Sequence, residues 1–279
     1  MKHLKHLNKR KRWTIAILTL LSLISIIYPK ITTLLQSNIQ NKTKTHVVSP
    51  NVQKNDLNLP IWSYDQFPDY YAENGTAVID NTKFPEIGNI NYTGKDELGR
   101  TLSVYGVITM EMVSKSSAEE RPDFKKGDEP SGWNKNKKVS VQTSSGEYNG
   151  WFWNRSHLVA DRLGGATNSD NAITGTRMQN VGNRSNSGGM AYVEQLTVDY
   201  LTTHRGEHVY YSAEPIYSGN ELIPRYVIVN VKSSDDILNK QIITFNNQYG
   251  YTIDYTNGTF TKDLSLIHIS EPTRRTPIS

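Results

Sequence analysis

The segment from Ser187 to Ser233 places the tightest limits on the fold. Ser187-Gly188-Gly189 lead into Met190, Val193, Leu196, Tyr200 and Leu201, an apolar stripe at helical spacing. His204-Arg205-Gly206 closes that helix, basic residues first and then glycine. Two strands are expected next, HVYYSAEPIY (208–217) and RYVIVNVKS (225–233), separated by the Gly219-Asn220 turn. Upstream, LGRTLSVYGVITMEMV (98–113) alternates through Leu102, Val104, Gly106 and Val107, Thr109, which predicts a strand pair or one long strand. Residues 114–138 are expected to be a charged loop punctuated by Pro130-Ser131-Gly132. Tyr148 to Ser156 is aromatic-rich and strand-like. Leu163 to Ser187 is rich in Gly, Asn, Ser and Thr, which predicts a long irregular loop, and such loops inside compact domains are usually functional. IDYTNGTFTK ends as a hairpin with Asn257-Gly258 as its turn. The sum is an α+β domain over 55–262, with strand, loop, helix and strands in that order.

The chain ends differ from this domain. A basic cluster, Lys9 to Arg12, precedes an apolar run from Trp13 to Tyr28, the pattern of a secretory n-region and h-region. The run has 16 residues, short for a membrane span unless it continues through Ile31 to Leu35, and no small-x-small cleavage site follows. An uncleaved signal anchor and a cleaved signal peptide both fit residues 1–35, and either places the rest outside the cell. A partner membrane is implied only if the segment is retained. Residues 36–54 are polar and weakly patterned, a tether. The last stretch, 263–279, has no amphipathic pattern and is read as a non-native tail.

Charge is distributed unevenly. Residues 1–54 carry ten Lys+Arg and no acid, so the rest holds 21 basic against 27 acidic residues. A polyanion binder with that balance must concentrate its positive charge locally. Residues 121–184 do so, with ten Lys+Arg against six Asp+Glu. The chain has no cysteine, which excludes disulfides, thiolate catalysis and cysteine-ligated metals.

Chemistry concentrates in Asn154-Arg155-Ser156-His157, followed by Asn171, Asn180, Asn186 and Glu194. Among these only His157 is a base near neutral pH. Arg155 stands two residues before it, so on a strand both would face one groove, where a guanidinium can clamp a phosphate. Arg177 and Arg184 flank the loop and are further candidates for phosphate contacts, with solvated surface arginines as the competing reading for all three.

Asn154-Arg155-Ser156-His157, within WNRSHLVADRLGG, resembles the DRGH motif of the DNA/RNA non-specific endonuclease family, in the form found in streptodornases, the extracellular DNases of streptococci. The downstream order is similar too: Asn180 lies 23 residues after His157, and Glu194 lies 14 after that. PSGW (130–133), GVIT (106–109) and the 219–225 turn are weaker matches. The resemblance implies a ββα-metal (His-Me finger) fold with a central antiparallel sheet and a metal loop followed by a helix. It implies His157 as general base, Asn180 as ligand of Mg²⁺ (with Mn²⁺ as substitute), and Glu194 supporting the metal's water shell. The substrate would be DNA, with RNA as a second candidate, cut with little sequence preference to leave 5′-phosphates; no protein partner is implied.

These residue types suit that chemistry. Phosphodiester hydrolysis needs a deprotonated water, charge neutralisation on the phosphoryl oxygens and protonation of the leaving oxygen. An amide oxygen is a hard ligand for Mg²⁺, and one protein ligand leaves the ion mostly hydrated. Asn154 replaces the first Asp of DRGH and is expected to hold the loop by hydrogen bonds; Ser156 replaces the Gly. Asn171 is expected to be structural, Asn186 to cap the helix, and Asn183 is an alternative ligand if the register slips. Trp133, Trp151 and Trp153 are candidates for base stacking, with core as the favoured reading because Trp151 and Trp153 are expected on one strand face. Two other classes compete: a toxin-like HNH nuclease, which usually carries more metal-binding histidines, and a non-catalytic surface module for DNA uptake, which would retard DNA without nicking it.

Overall fold

The run Tyr226–Ser233 is buried at six of its eight positions, as a strand covered on both faces must be. The computed structural model describes residues 59–184 and 187–263, and in it this strand lies deep in a sheet. The leader, the tether, Asn186 and the segment beyond 263 fall outside the described residues.

In chain order the strands are β1 (Tyr71–Glu73), β2 (Ile90–Tyr92), β3 (Val104–Thr109), β4 (Lys138–Thr143), β5 (Gly146–Trp151) and β6 (Trp153–His157). They continue as β7 (Ala172–Thr176), β8 (His208–Ile216), β9 (Tyr226–Ser233), β10 (Asn239–Phe245), β11 (Tyr251–Asp254) and β12 (Thr259–Lys262). The helices are α1 (Met110–Ala118), α2 (Arg177–Val181) and α3 (Gly189–Thr203). The central sheet runs β1-β10-β9-β8-β3-β2, with every pairing antiparallel. Three hairpins stand apart from it: β4–β5, β6–β7 and β11–β12.

Alternation along β9 divides the core. Val227, Val229 and Val231 pack with Met190, Val193 and Leu201 of α3 and with Leu158, Leu163 and Ile173 from around the β6–β7 hairpin. Ile228 faces the other way, joining Ile243 and Phe245 against Trp62 and Phe67 from the segment before β1. The sheet is thus a middle layer, and the hairpin that carries His157 is anchored to the α3 side.

The helix and strand expectations over 187–233 hold, and several others need correction. The strand at 98–113 is confined to β3, because the Thr109 hydroxyl accepts from Met112 N at 3.3 Å and starts α1, which takes the first residues assigned to a loop. Residues 163–187 are not one irregular loop: β7 and α2 lie inside. Composition misled here because β7 buries polar side chains that find partners, Thr174 Oγ1 on Ser131 O and Thr176 Oγ1 on Asn247 O, both at 2.8 Å. Trp151 and Trp153 do not share a face. Phe152 divides β5 from β6, leaving Trp151 52% exposed and Trp153 1% exposed, with the indole of Trp153 donating to Gly258 O. The final hairpin turns through Tyr255–Gly258 rather than Asn257-Gly258 alone, since Asp254 accepts from Thr256 N and Asn257 Nδ2. Among the described residues no helix is long and apolar enough to cross a membrane.

Candidate active site

β6 presents a different part of the site on each face. Arg155 and His157 point one way, Asn154 and Ser156 the other. On the first face the Arg155 guanidinium lies 4.7 Å from the Trp133 ring centre and 5.1 Å from that of Phe124. Phe124 also meets the His157 ring, centroids 5.2 Å apart, so Arg155 and His157 share one aromatic neighbour. Glu129 Oε1 lies 3.3 Å from Arg155 Nη2.

His157 is 5% exposed. Arg121 Nη2 sits 3.4 Å from its Nδ1. A guanidinium only donates, so Nδ1 is assigned as the acceptor and the ring proton goes to Nε2, which is buried and has no hydrogen-bond partner among the described residues. Burial, and secondarily the Arg121 charge, push the imidazole down to about 4. At neutral pH the ring is therefore uncharged, with its Nδ1 lone pair facing the Arg121 guanidinium.

The second face of β6 grips Asn180. Ser156 Oγ donates to its Oδ1 at 3.2 Å, and its Nδ2 donates to Asn154 Oδ1 at 3.3 Å. Asn154 thus keeps the acceptor that an aspartate would offer. The short helix α2 begins where Thr176 Oγ1 accepts from Gln179 N, and Gly182 N closes it on Met178 O. Gly189, at φ 53°, lies so close to Gln179 O that a side chain there would collide, which holds the start of α3 against α2. His157 and Asn180 are joined through their common neighbour Ser156.

The turn after His157 is stapled by Asn171. Its Oδ1 accepts from Val159 N, and its Nδ2 donates to Val159 O and Ala166 O. Asn183 is also committed, to Ser144 N and the Tyr64 hydroxyl.

Glu194 stands in the first two turns of α3 with its side chain 13% exposed, 3.4 Å from Arg162 Nε. Arg162 also reaches Gln195 Oε1 and Ala191 O, splinting that end of the helix. Burial raises the Glu194 carboxyl to about 7, against the pull of Arg162 and Arg121. Arg121 acts on both His157 and Glu194, and sequence reasoning missed it: within EERPDFKK it is one charge among many. The other two arginines sit apart from this cluster. Arg177 lies over the Tyr148 ring at 5.2 Å, and Arg184, its side chain 69% exposed, is 3.8 Å from Asp69.

A divalent ion suits this donor set. Asn180 Oδ1 accepts one long hydrogen bond and keeps a second lone pair. Among the described residues no group of three or more His, Asp or Glu could cage an ion. An ion here would keep most of its water, as Mg²⁺ prefers.

Comparison with known proteins bears on the fold and the family. A deoxyribonuclease of Streptococcus dysgalactiae subsp. equisimilis is 32% identical over 244 residues, covering 70% of this chain and 74% of its own length. The Sda1 nuclease, solved with a bound zinc ion, superposes with a TM-score of 0.69 at 36% identity, over 72% of this chain and all of its own. NucA from Streptococcus agalactiae, solved with magnesium, shares the fold: TM-score 0.58 at 22% identity, over 75% of this chain and 93% of its own. The fold is that of the ββα-metal nucleases, and the family of DNA/RNA non-specific endonucleases matches residues 80–235. With its motif at the end of β6 and its relatives on both counts nucleases, this chain belongs to the DNA/RNA non-specific endonuclease family and is a nucleic-acid-cutting hydrolase.

Proposed function

We propose that the protein is an exported, Mg²⁺-dependent endonuclease that hydrolyses DNA, and RNA as a second substrate, with His157 as general base. The observation that carries this reading is the buried, neutral imidazole whose Nδ1 faces the Arg121 guanidinium, on the same strand face as Arg155. Arg155 and Arg121 hold the scissile phosphate by its non-bridging oxygens, which carry no sequence information. With Arg121 turned from Nδ1 to that phosphate, a water beside Nδ1 gives its proton to His157 as its oxygen bonds to phosphorus. The P–O3′ bond breaks, the 3′-oxygen takes a proton from solvent, and the products are a 5′-phosphate and a 3′-hydroxyl.

Asn180 would hold the ion through Oδ1, and Glu194 would accept hydrogen bonds from its waters. When bound, the ion supplies charge neutralisation on the phosphoryl group. Asn154 and Ser156 orient the amide for that task, and Arg162 holds Glu194. Arg177, beside the Tyr148 ring, is a further substrate contact, and Arg184 a weaker one. The basic and apolar leader supports export.

Purified protein should degrade plasmid DNA in Mg²⁺ and stop in EDTA. His157→Ala should lose at least about a thousandfold of the rate, as befits a lost general base and its positioning, while keeping its circular dichroism. Full activity in EDTA, or turnover retained by the variant, refutes the mechanism. DNA retarded in a gel but never nicked in Mg²⁺ refutes the hydrolase.

A further inference from the structure

The imidazole assigned as base is closed off. At 5% exposure, with Phe124 against its ring and Arg121 at Nδ1, His157 cannot meet a phosphodiester until the covering segment shifts. The same segment also occupies Arg155. Its guanidinium is sandwiched by Trp133 and Phe124 and touched at its edge by Glu129.

We propose that in the free enzyme the Glu129 carboxylate fills the seat on Arg155 that a backbone phosphate of nucleic acid takes on binding. The inference rests on Arg155 being a phosphate contact, as argued above. Three observations carry it.

First, the ion pair is incomplete. One Arg155 nitrogen reaches Glu129 at 3.3 Å, while Nε is buried without an acceptor among the described residues. A guanidinium set for two-pronged binding is left half served, and a phosphate, with more oxygens in a tetrahedral array, can complete it. Second, the chain next to the carboxylate is pinned. Its neighbour Asp128 is fixed by the Ser169 hydroxyl and by Ser169 N at 3.2 Å, which holds Glu129 at the edge of the aromatic box. Third, occupancy of the seat and cover of the base are mechanically joined. Phe124 touches both Arg155 and His157, so a ligand that rearranges the groups around Arg155 loosens the lid on the imidazole.

The exchange is between two singly charged anions, so the seat never holds an unpaired cation. Its cost to the enzyme is affinity, because each incoming strand must displace an internal competitor. The beneficiary is selectivity: a ligand must present phosphate to Arg155 before His157 is uncovered, which favours a strand over stray water or a neutral nucleoside. Glu129 is thus a positioning residue that sets substrate affinity.

The test measures binding without cleavage. The full chain in EDTA is titrated into a fluorescein-labelled single-stranded oligodeoxynucleotide and followed by anisotropy. Glu129→Gln and Glu129→Ala should each bind about fivefold tighter or more than the parent, and KM in Mg²⁺ should fall in step. Diethyl pyrocarbonate, with sites located by mass spectrometry, should acylate His157 faster in Glu129→Gln and in Phe124→Ala than in the parent. Binding by Glu129→Gln that is weaker than or equal to the parent's overturns the proposal and makes Glu129 a support for Arg155. Tighter binding in EDTA from a protein that fails to cleave would sink the catalytic assignment and leave the seat intact.

Discussion

Asn180 Nδ2 donates to Asn154 Oδ1 at 3.3 Å across the gap between α2 and β6. Together with the Ser156 hydroxyl on Oδ1, this bond orients the Asn180 amide, and in the proposed role it leaves Oδ1 as the atom for an ion. It also explains how the motif works with asparagine in its first place: the neighbour needs an acceptor, not a charge. Asn154→Ala should therefore raise the Mg²⁺ concentration for half-maximal rate by about tenfold or more, the usual size of such supporting effects. Asn154→Asp should restore it. A magnesium titration of initial rates decides the matter; an unchanged midpoint in Asn154→Ala would show that the bond does not orient the ligand.

Both titrating groups bear on the pH profile from its acid side. His157, at about 4, is already neutral across the working range, so it produces no limb between pH 5 and 9. In the role proposed for it, Glu194, raised to about 7, accepts from metal waters most strongly once ionised. On a logarithmic plot kcat/KM should rise with pH and level off above about 7, and Glu194→Gln should flatten the rise while lowering the plateau. Arg162→Ala removes a cation that draws Glu194 down, so its limb should move to higher pH. A limb that ignores Arg162 would detach Glu194 from the profile.

Stability should respond to the same groups. Glu194 is raised from 4.5, so its contribution is present below about 4.5 and is lost as pH rises through about 7. His157 is lowered from 6.5, so its contribution is present above about 6.5 and is lost as pH falls through about 4.

Much of this was legible in the residue order. The helix at 189–203 and strands β8 and β9 carry apolar periodicities that survive into the fold because each faces a core. Arg155 and His157 share a face because a strand alternates. What was hidden is whatever long-range partners decide. β7 looks like a loop until Ser131, Asn246 and Asn247 arrive to satisfy its threonines and backbone. Thr109 reads as one more strand residue until its hydroxyl caps a helix. Arg121 has no motif at all, and only folding brings it 36 positions along the chain to His157.

Asn171 makes a separate prediction about folding. Fully buried, it satisfies three backbone groups in the turn that leaves His157. Replacing it with alanine strands those groups away from water, at about 1–3 kcal/mol for each one that finds no substitute. Asn171→Ala should lower stability by about 2–4 kcal/mol in urea unfolding and reduce cleavage through displacement of His157. A midpoint within experimental error of the parent would mean that water replaces the amide.

Arg177 and Arg184 offer a contrast within one stretch of chain. Arg177 lies against the Tyr148 ring, half-buried beside a cleft that Tyr148, Gly182 and Asn183 also line, and it makes no ion pair among the described residues. Its burial lowers its affinity for protons, and it heads the helix that carries Asn180. Arg184 is more exposed and already near Asp69. A half-buried cation without a counter-ion among the described residues gains more from a phosphate than an exposed one with a carboxylate at hand. Arg177→Ala should therefore raise KM for plasmid DNA by about three- to tenfold, the scale of one lost charge-assisted contact, and should reduce the salt dependence of binding by about one phosphate contact. Arg184→Ala should change KM by less than about twofold. Measuring both variants at two salt concentrations separates a true contact from a general loss of charge: equal effects would mean that only net charge matters, and Arg177 would lose its place along the substrate strand.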